Sequence, residues 1–158
     1  MRFLLPALGL LAMSTLPSSG HEEKGKKVAF EEYHRYFVKN TVKLTDNAGF
    51  FVAQDKKEFD EIFNIGFTMG KKPKLVDDKL FETHTIVAAV KSGSTLWKYE
   101  VEDVRLDKKQ LIVQYKTSGK ESTAKVAVPL ILAVPRGEFT EVVFIENGKE
   151  VGKVDAKK

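Results

Sequence analysis

Apolar residues alternate with polar ones over most of this chain, and a helical period occurs once. The helical stretch opens at Asp55, an N-cap type of residue, with Glu58 three positions on as in a capping box. Phe59, Ile62 and Phe63 then form one apolar stripe, while Asp60 and Glu61 fall on the wet side. The pattern predicts a helix over about 55–64 that stops before Gly66. Ahead of it, Tyr33–Val42 is rich in aromatic and β-branched residues and reads as a strand. A turn cluster at Thr45–Gly49 leads into a short strand over Phe50–Ala53.

Residues 64–80 read as a long loop, with apolar Ile65, Phe67 and Met69 placed between glycines. From Thr83 onward the reading is β throughout. Ile86–Val90 is apolar at every position, which predicts a strand buried on both faces. Ser92-Gly93-Ser94 reads as a turn, followed by a strand over Thr95–Leu106. Along that strand the apolar parity changes between Val101 and Val104, so a β-bulge is predicted at Glu102-Asp103. Asp107–Gln110 is a hairpin loop, Leu111, Val113 and Tyr115 return, and Thr117–Lys120 reads as a further turn. Pro129 interrupts the apolar run Ala124–Val134 and requires a bend, bulge or edge there, because proline has no ladder donor. Asn147-Gly148 between Glu141–Glu146 and Lys149–Val154 is a strong hairpin signal, since both residues tolerate the positive φ of a type I′ turn.

These elements predict a single α+β domain over 28–154. Its sheet is mostly antiparallel, curled or closing into a partial barrel, with one α-helix in the N-terminal half. Phe59, Ile62 and Phe63 are expected to pack on Ile86–Val90 and on Val126, Val128, Leu130 and Leu132.

The first twenty residues add a compartment. Arg2, an apolar run from Phe3 to Met13 and the small residues Ser18-Ser19-Gly20 have the layout of a secretory signal peptide. Pro6 and the early end of the run argue against a spanning helix, which needs about 20 apolar residues. Cleavage after Gly20 leaves 138 residues, expected to be secreted or periplasmic without a stable membrane anchor. Residues 21–27 are expected to form a disordered mature N-terminus, and residues 155–158 to fray. The absence of cysteine excludes disulfides and thiol chemistry, and a cysteine-free exported domain is more typical of bacteria than of animals. The net charge is +4, but most lysines alternate with acids, so the sequence points to a solvated surface rather than a nucleic-acid face.

Candidate chemistry is sparse. The three histidines, His21, His34 and His84, have no metal-ligand spacing, and copper chelation by His21 as a mature N-terminus would need His34 or His84 brought to it. Acid pairs such as Asp60-Glu61 and Glu102-Asp103 read as surface, and neither a nucleophile elbow nor a phosphate-binding glycine loop is present. No catalytic residue, metal or cofactor is expected.

One block carries a family pattern. Glu58–Phe63, Leu80-Phe81, Thr85–Val90, Trp97–Val104, Gln110–Tyr115, Pro129–Pro135 and Val142-Val143-Phe144 follow one another in an order that resembles the C-terminal domain of PrcB-type protease-complex subunits. The resemblance implies an exported protein that steadies a secreted protease complex. Where that family tends to have a glycine-rich turn and a Gly-Tyr strand, this chain has Ser92-Gly93-Ser94-Thr95-Leu96-Trp97, and no functional residue carries over.

The expectation is therefore a non-enzymatic exported binding domain that stabilises or modulates a protein partner such as a protease. Its candidate contact surface combines Ile65, Phe67, Met69, Lys71 and Lys72 of the loop with Ser92, Ser94 and Leu96. The alternative is a small-ligand carrier with an aromatic-lined cavity in a curled sheet. Oligomeric state is left open.

Overall fold

The computed structural model describes residues 25–66, 70 and 74–156. The leader, residues 21–24, the loop residues Phe67, Met69, Lys71 and Lys72, and the last two lysines lie outside the described residues. The described chain is mostly β, with two short helices. In order come β1 (Lys26–Lys27), β2 (Glu31–Glu32), β3 (Tyr36–Val38), β4 (Ala48–Ala53), α1 (Lys56–Ile62) and β5 (Phe63–Ile65). They are followed by α2 (Leu80–Thr83), β6 (His84–Asp107), β7 (Gln110–Pro135), β8 (Glu141–Glu146) and β9 (Lys149–Asp155).

The architecture is set by one very long hairpin. β6 and β7 pair antiparallel from His84↔Pro135 to Asp107↔Gln110, around the turn at Lys108-Lys109. β4 pairs with β6 along Ile86–Lys91, and β2 with β7 at Leu132 and Ala133, so four strands meet at the root of the hairpin. At its tip β1 adds to β6, while β8 adds to β7 and β9 to β8. Every pairing is antiparallel except β7–β8, so the sheet is mixed. β3 and β5 form a separate two-stranded sheet.

Chain length forces the hairpin to bend. A straight strand of 26 residues would run roughly 80 Å at about 3.3 Å per residue. Yet Glu141 pairs with Gln110, at the start of β7, only six residues after Pro135. Six extended residues reach about 22 Å at most. The far end of β7 therefore comes back toward its beginning, and Thr140 N donates to Lys109 O at 2.8 Å. The sheet does not close. β9 runs beside β4 without a ladder, and the Gln54 side chain donates to Ala156 O across that seam.

The bend gives the root two buried faces, as the all-apolar run predicts. Val87, Ala89, Leu130, Leu132 and Val134 face the tip half, against Leu111, Val113, Tyr115, Val142 and Phe144. Ile86, Ala88, Val90, Ile131 and Ala133 face a second layer of Tyr33, Phe59, Phe63, Val76 and Phe81. The helix layer thus meets Ile131 and Ala133, not Leu130 and Leu132 as expected. In a run apolar on both faces, parity carries no information about which face is which. The space inside the bend is filled by side chains, including Tyr115, Phe144, Leu111 and Leu130.

Several local expectations match. Asp55 Oδ1 accepts from Glu58 N at 2.8 Å, and Glu58 reaches back to Gln54 N at 2.8 Å. The Val101/Asp103 register shift places the bulge at Glu102. Asn147 and Gly148 both take positive φ, 50° and 80°, in the β8–β9 hairpin.

Others are corrected. Ser92-Gly93-Ser94 and Thr117–Lys120 are not chain reversals: β6 and β7 run through both, with a register irregularity at Gly93/Thr95. Gly119 sits opposite Trp97, where an added Cβ would lie 2.4 Å from Thr95 Cγ2; the missing side chain makes room across the ribbon. The helix ends at Ile62, because Phe63 already pairs with Val38. Tyr33–Val42 is not one strand, since Arg35 at φ 68° turns the chain from the large sheet to the small one. Within residues 64–80 the chain forms β5 and the first residue of α2, whose Leu80 N is capped by Asp77 Oδ1 at 3.0 Å. Lys26 and Lys27, expected in a disordered segment, pair with β6, and at the other end Asp155 closes β9 and Ala156 is buried.

Candidate functional site

The middle of the β6–β7 ribbon is where the long hairpin is least covered. β4 pairing ends at Lys91 and β1 pairing starts at Arg105, so between them β6 ladders only with β7. On the other edge, β8 reaches Tyr115 and β2 begins at Leu132, and between them β7 ladders only with β6. Both edges of the central ribbon therefore present backbone groups outside any ladder among the described residues.

Side chains alternate across it with the period of a strand. Ser94, Leu96, Lys98 and Glu100 are exposed, and Thr95, Trp97, Tyr99 and Val101 are half-buried on the inner face. Leu96, at 51 % exposure, is one of the most exposed large apolar side chains described. Ser92 sits at the root end, tied down by its own N–H to Asn47 O at 2.8 Å.

The inner face carries a polar network that the sequence did not reveal. Lys91 Nζ lies 4.0 Å from the centroid of the Trp97 ring and pairs with the Glu146 carboxylate. Glu146 Oε1 also accepts from Thr117 Oγ1 at 2.9 Å, and Asn147 Nδ2 donates to Thr117 Oγ1 at 3.1 Å. Tyr99 donates its hydroxyl to Val128 O at 2.8 Å. The Tyr115 hydroxyl and Trp97 Nε1 are buried without a hydrogen-bond partner among the described residues. Burial pushes the phenols of Tyr99 and Tyr115 well above the usual tyrosine range, and the Glu146 charge pushes the same way. The phenols stay protonated and the Lys91 charge is paired with Glu146, so the network ties β6, β7 and β8 together. Position in sequence hides this network, because Lys91 and Glu146 meet only through the β7–β8 register.

Of the expected contact surface, Ile65 and the three ribbon residues lie on different sheets; Phe67, Met69, Lys71 and Lys72 lie outside the described residues. Ile65 ends β5 and lines a surface groove of about 690 Å³ with Tyr36, Leu75 and Val76, whereas Ser92, Ser94 and Leu96 belong to the ribbon. No ladder or hydrogen bond joins them among the described residues.

The remaining candidate chemistry is dispersed. Glu102 pairs with Lys116 across the ribbon, which holds its carboxyl below the usual range, and Asp103 pairs with Arg105. Each acid of that pair thus has its own cation. His34 is exposed beside Glu32, and His84 Nδ1 lies 2.8 Å from Thr83 Oγ1. Among the described residues no group of three or more His, Cys, Asp and Glu is placed to hold a metal, and no helix is long and apolar enough to cross a membrane. No family model matches the chain, and neither a curated protein nor a solved structure matches it.

Proposed function

We propose that this chain is an exported, non-enzymatic binding domain that stabilises or modulates a protein partner, such as a protease, and engages it along the central β6–β7 ribbon. The observation that carries the reading is the pair of unladdered edges flanking Ser94, Leu96, Lys98 and Glu100. An extended partner segment gains main-chain hydrogen bonds at such an edge, and side chains on alternate positions supply specificity. The inward network of Lys91, Trp97 and Glu146 holds the ribbon stiff, so little ordering entropy is lost on binding. The secretory layout of residues 1–20 and the resemblance of residues 58–146 to PrcB-type domains support the same reading. We read the bent sheet itself as a partial barrel of predominantly antiparallel strands, with the parallel β7–β8 pair as its exception.

The test is partner capture from periplasm or culture fluid with the mature chain, followed by amide hydrogen exchange on the complex. A stoichiometric partner that protects Gly93–Asp103 or Ser118–Val126, and is lost in Leu96→Lys, is expected. A partner-free monomer, or a complex that leaves both segments exchanging freely, refutes the reading.

A further inference from the structure

A second surface lies where β1 meets the tip of β6, and it shares no residue with the partner surface along the ribbon. β1 adds two residues to the edge of β6, with Lys26 opposite Leu106 and Lys27 opposite Arg105. Cross-strand partners share a face. Lys26 therefore stands on the core side with Leu106, and Lys27 on the opposite side. Val28 follows, its N–H bonded to Val104 O at 2.8 Å and its side chain packed on the core.

Between this edge and the segment that leaves β7, Pro135-Arg136-Gly137, a groove of about 360 Å³ opens. That is the lower end of the range of small-molecule sites. Its floor reaches Leu106, Leu111 and Phe139, so it is apolar down to the core. Its charged lining residues are Lys26, Lys27 and Arg136, with no carboxylate lining it among the described residues. Arg136 Nε donates to Phe81 O at 2.7 Å and Nη2 to Gln54 O. Both acceptors are neutral carbonyls. The guanidinium is thus held in place, and no carboxylate among the described residues pairs with it.

We propose that this groove binds a single-chain amphiphile with an anionic head group, the alkyl chain lying over Leu106, Leu111 and Phe139 and the carboxylate at Lys26 and Arg136. An apolar trough accepts any tail, and the one-sided charge of its rim selects the head: an anion gains from Lys26 and Arg136, and a cation of equal length is repelled.

Isothermal titration of the purified mature chain with dodecanoate, kept below its micelle concentration, tests this. One-to-one binding is expected, at least tenfold tighter than for dodecyltrimethylammonium, whose tail is one carbon longer. Lys26→Glu should weaken dodecanoate at least fivefold, while Lys125→Glu, at an exposed position outside the groove, should leave it within twofold. Ala29→Trp, at an exposed lining position, should fill the groove and abolish binding with the circular dichroism unchanged. Leu96→Lys should leave dodecanoate binding intact, which separates this site from the ribbon. Absence of dodecanoate binding, equal affinity for the two head groups, or full binding by Ala29→Trp would overturn the proposal. Selective binding of a peptide C-terminus with no response to dodecanoate would do so as well.

Discussion

Removing one oxygen from Tyr115 should stabilise this protein, and removing the equivalent oxygen from Tyr99 should destabilise it. The two rings touch edge to face, with centroids 5.7 Å apart on adjacent strands. Tyr115 is completely buried, and its hydroxyl makes no well-formed hydrogen bond among the described residues, the nearby Glu146 carboxylate acting on it mainly through its charge. A buried hydroxyl without a partner costs about 1–3 kcal/mol relative to water. Tyr115→Phe removes that cost and leaves a void the size of one oxygen, for a net gain of about 1 kcal/mol. Tyr99 is only half-buried and its hydroxyl has an acceptor, Val128 O at 2.8 Å. Tyr99→Phe loses that bond and strands the carbonyl, so it should cost about 1–2 kcal/mol. Urea denaturation with an unchanged m-value, read as midpoint shifts of opposite sign, is the assay. In thermal unfolding the gain in Tyr115→Phe corresponds to roughly 3–5 °C. If Tyr115→Phe is destabilised by more than about 0.5 kcal/mol, its hydroxyl is bonded in solution, to a trapped water or to Glu146, and the reasoning fails.

The same phenols predict alkaline behaviour. Their folded pKa values lie above the ordinary 10, so above that pH the native state holds protons the unfolded state has released, and stability falls as pH rises. Tyr99 and Tyr115 alone should give a slope approaching about 2.7 kcal/mol per pH unit, and Tyr33, raised to about 12, adds to it below that pH. Absorbance at 295 nm should show Tyr33 ionising near 12, and Tyr99 and Tyr115 only on unfolding; early ionisation of all three would contradict this. Gly152→Ala places a Cβ 2.3 Å from Phe50 Cδ2 and Cε2 at the β4–β9 seam, and should cost roughly 1–3 kcal/mol by chemical denaturation. Much of that should be relieved in a Phe50→Leu background, and additive losses would show that the ring moves aside freely. Lys91→Met should cost about 2 kcal/mol, because Glu146, with only 12 % of its side chain exposed, keeps a hydroxyl partner but loses its cation; a change under 0.5 kcal/mol would mark the pair as solvent-screened.

What could be read from the sequence alone is what short stretches decide. The Asp55 cap, the Asn147-Gly148 hairpin, the Lys108-Lys109 turn and the bulge at Glu102 each depend on a few neighbouring residues, and each is found where its local pattern puts it. The double burial of Ile86–Val90 was equally legible, because an unbroken apolar run leaves no wet face. The candidate site was legible in part. Leu96 is exposed as the contact surface required, but on a continuous strand rather than beside a turn, and Ile65 belongs to another sheet.

Tertiary structure decided the rest, through contacts between residues far apart in the chain. Ser92-Gly93-Ser94 and Thr117–Lys120 have turn composition, yet each continues a strand because each finds a partner across the ribbon. A local signal states what the backbone tolerates there, and long-range pairing selects among the tolerated conformations. The bend of the hairpin, the parallel β7–β8 pair and the Lys91–Trp97–Glu146 network follow from a five-residue link returning the end of β7 to its start. That is a distance constraint on the whole chain, and no window of sequence contains it.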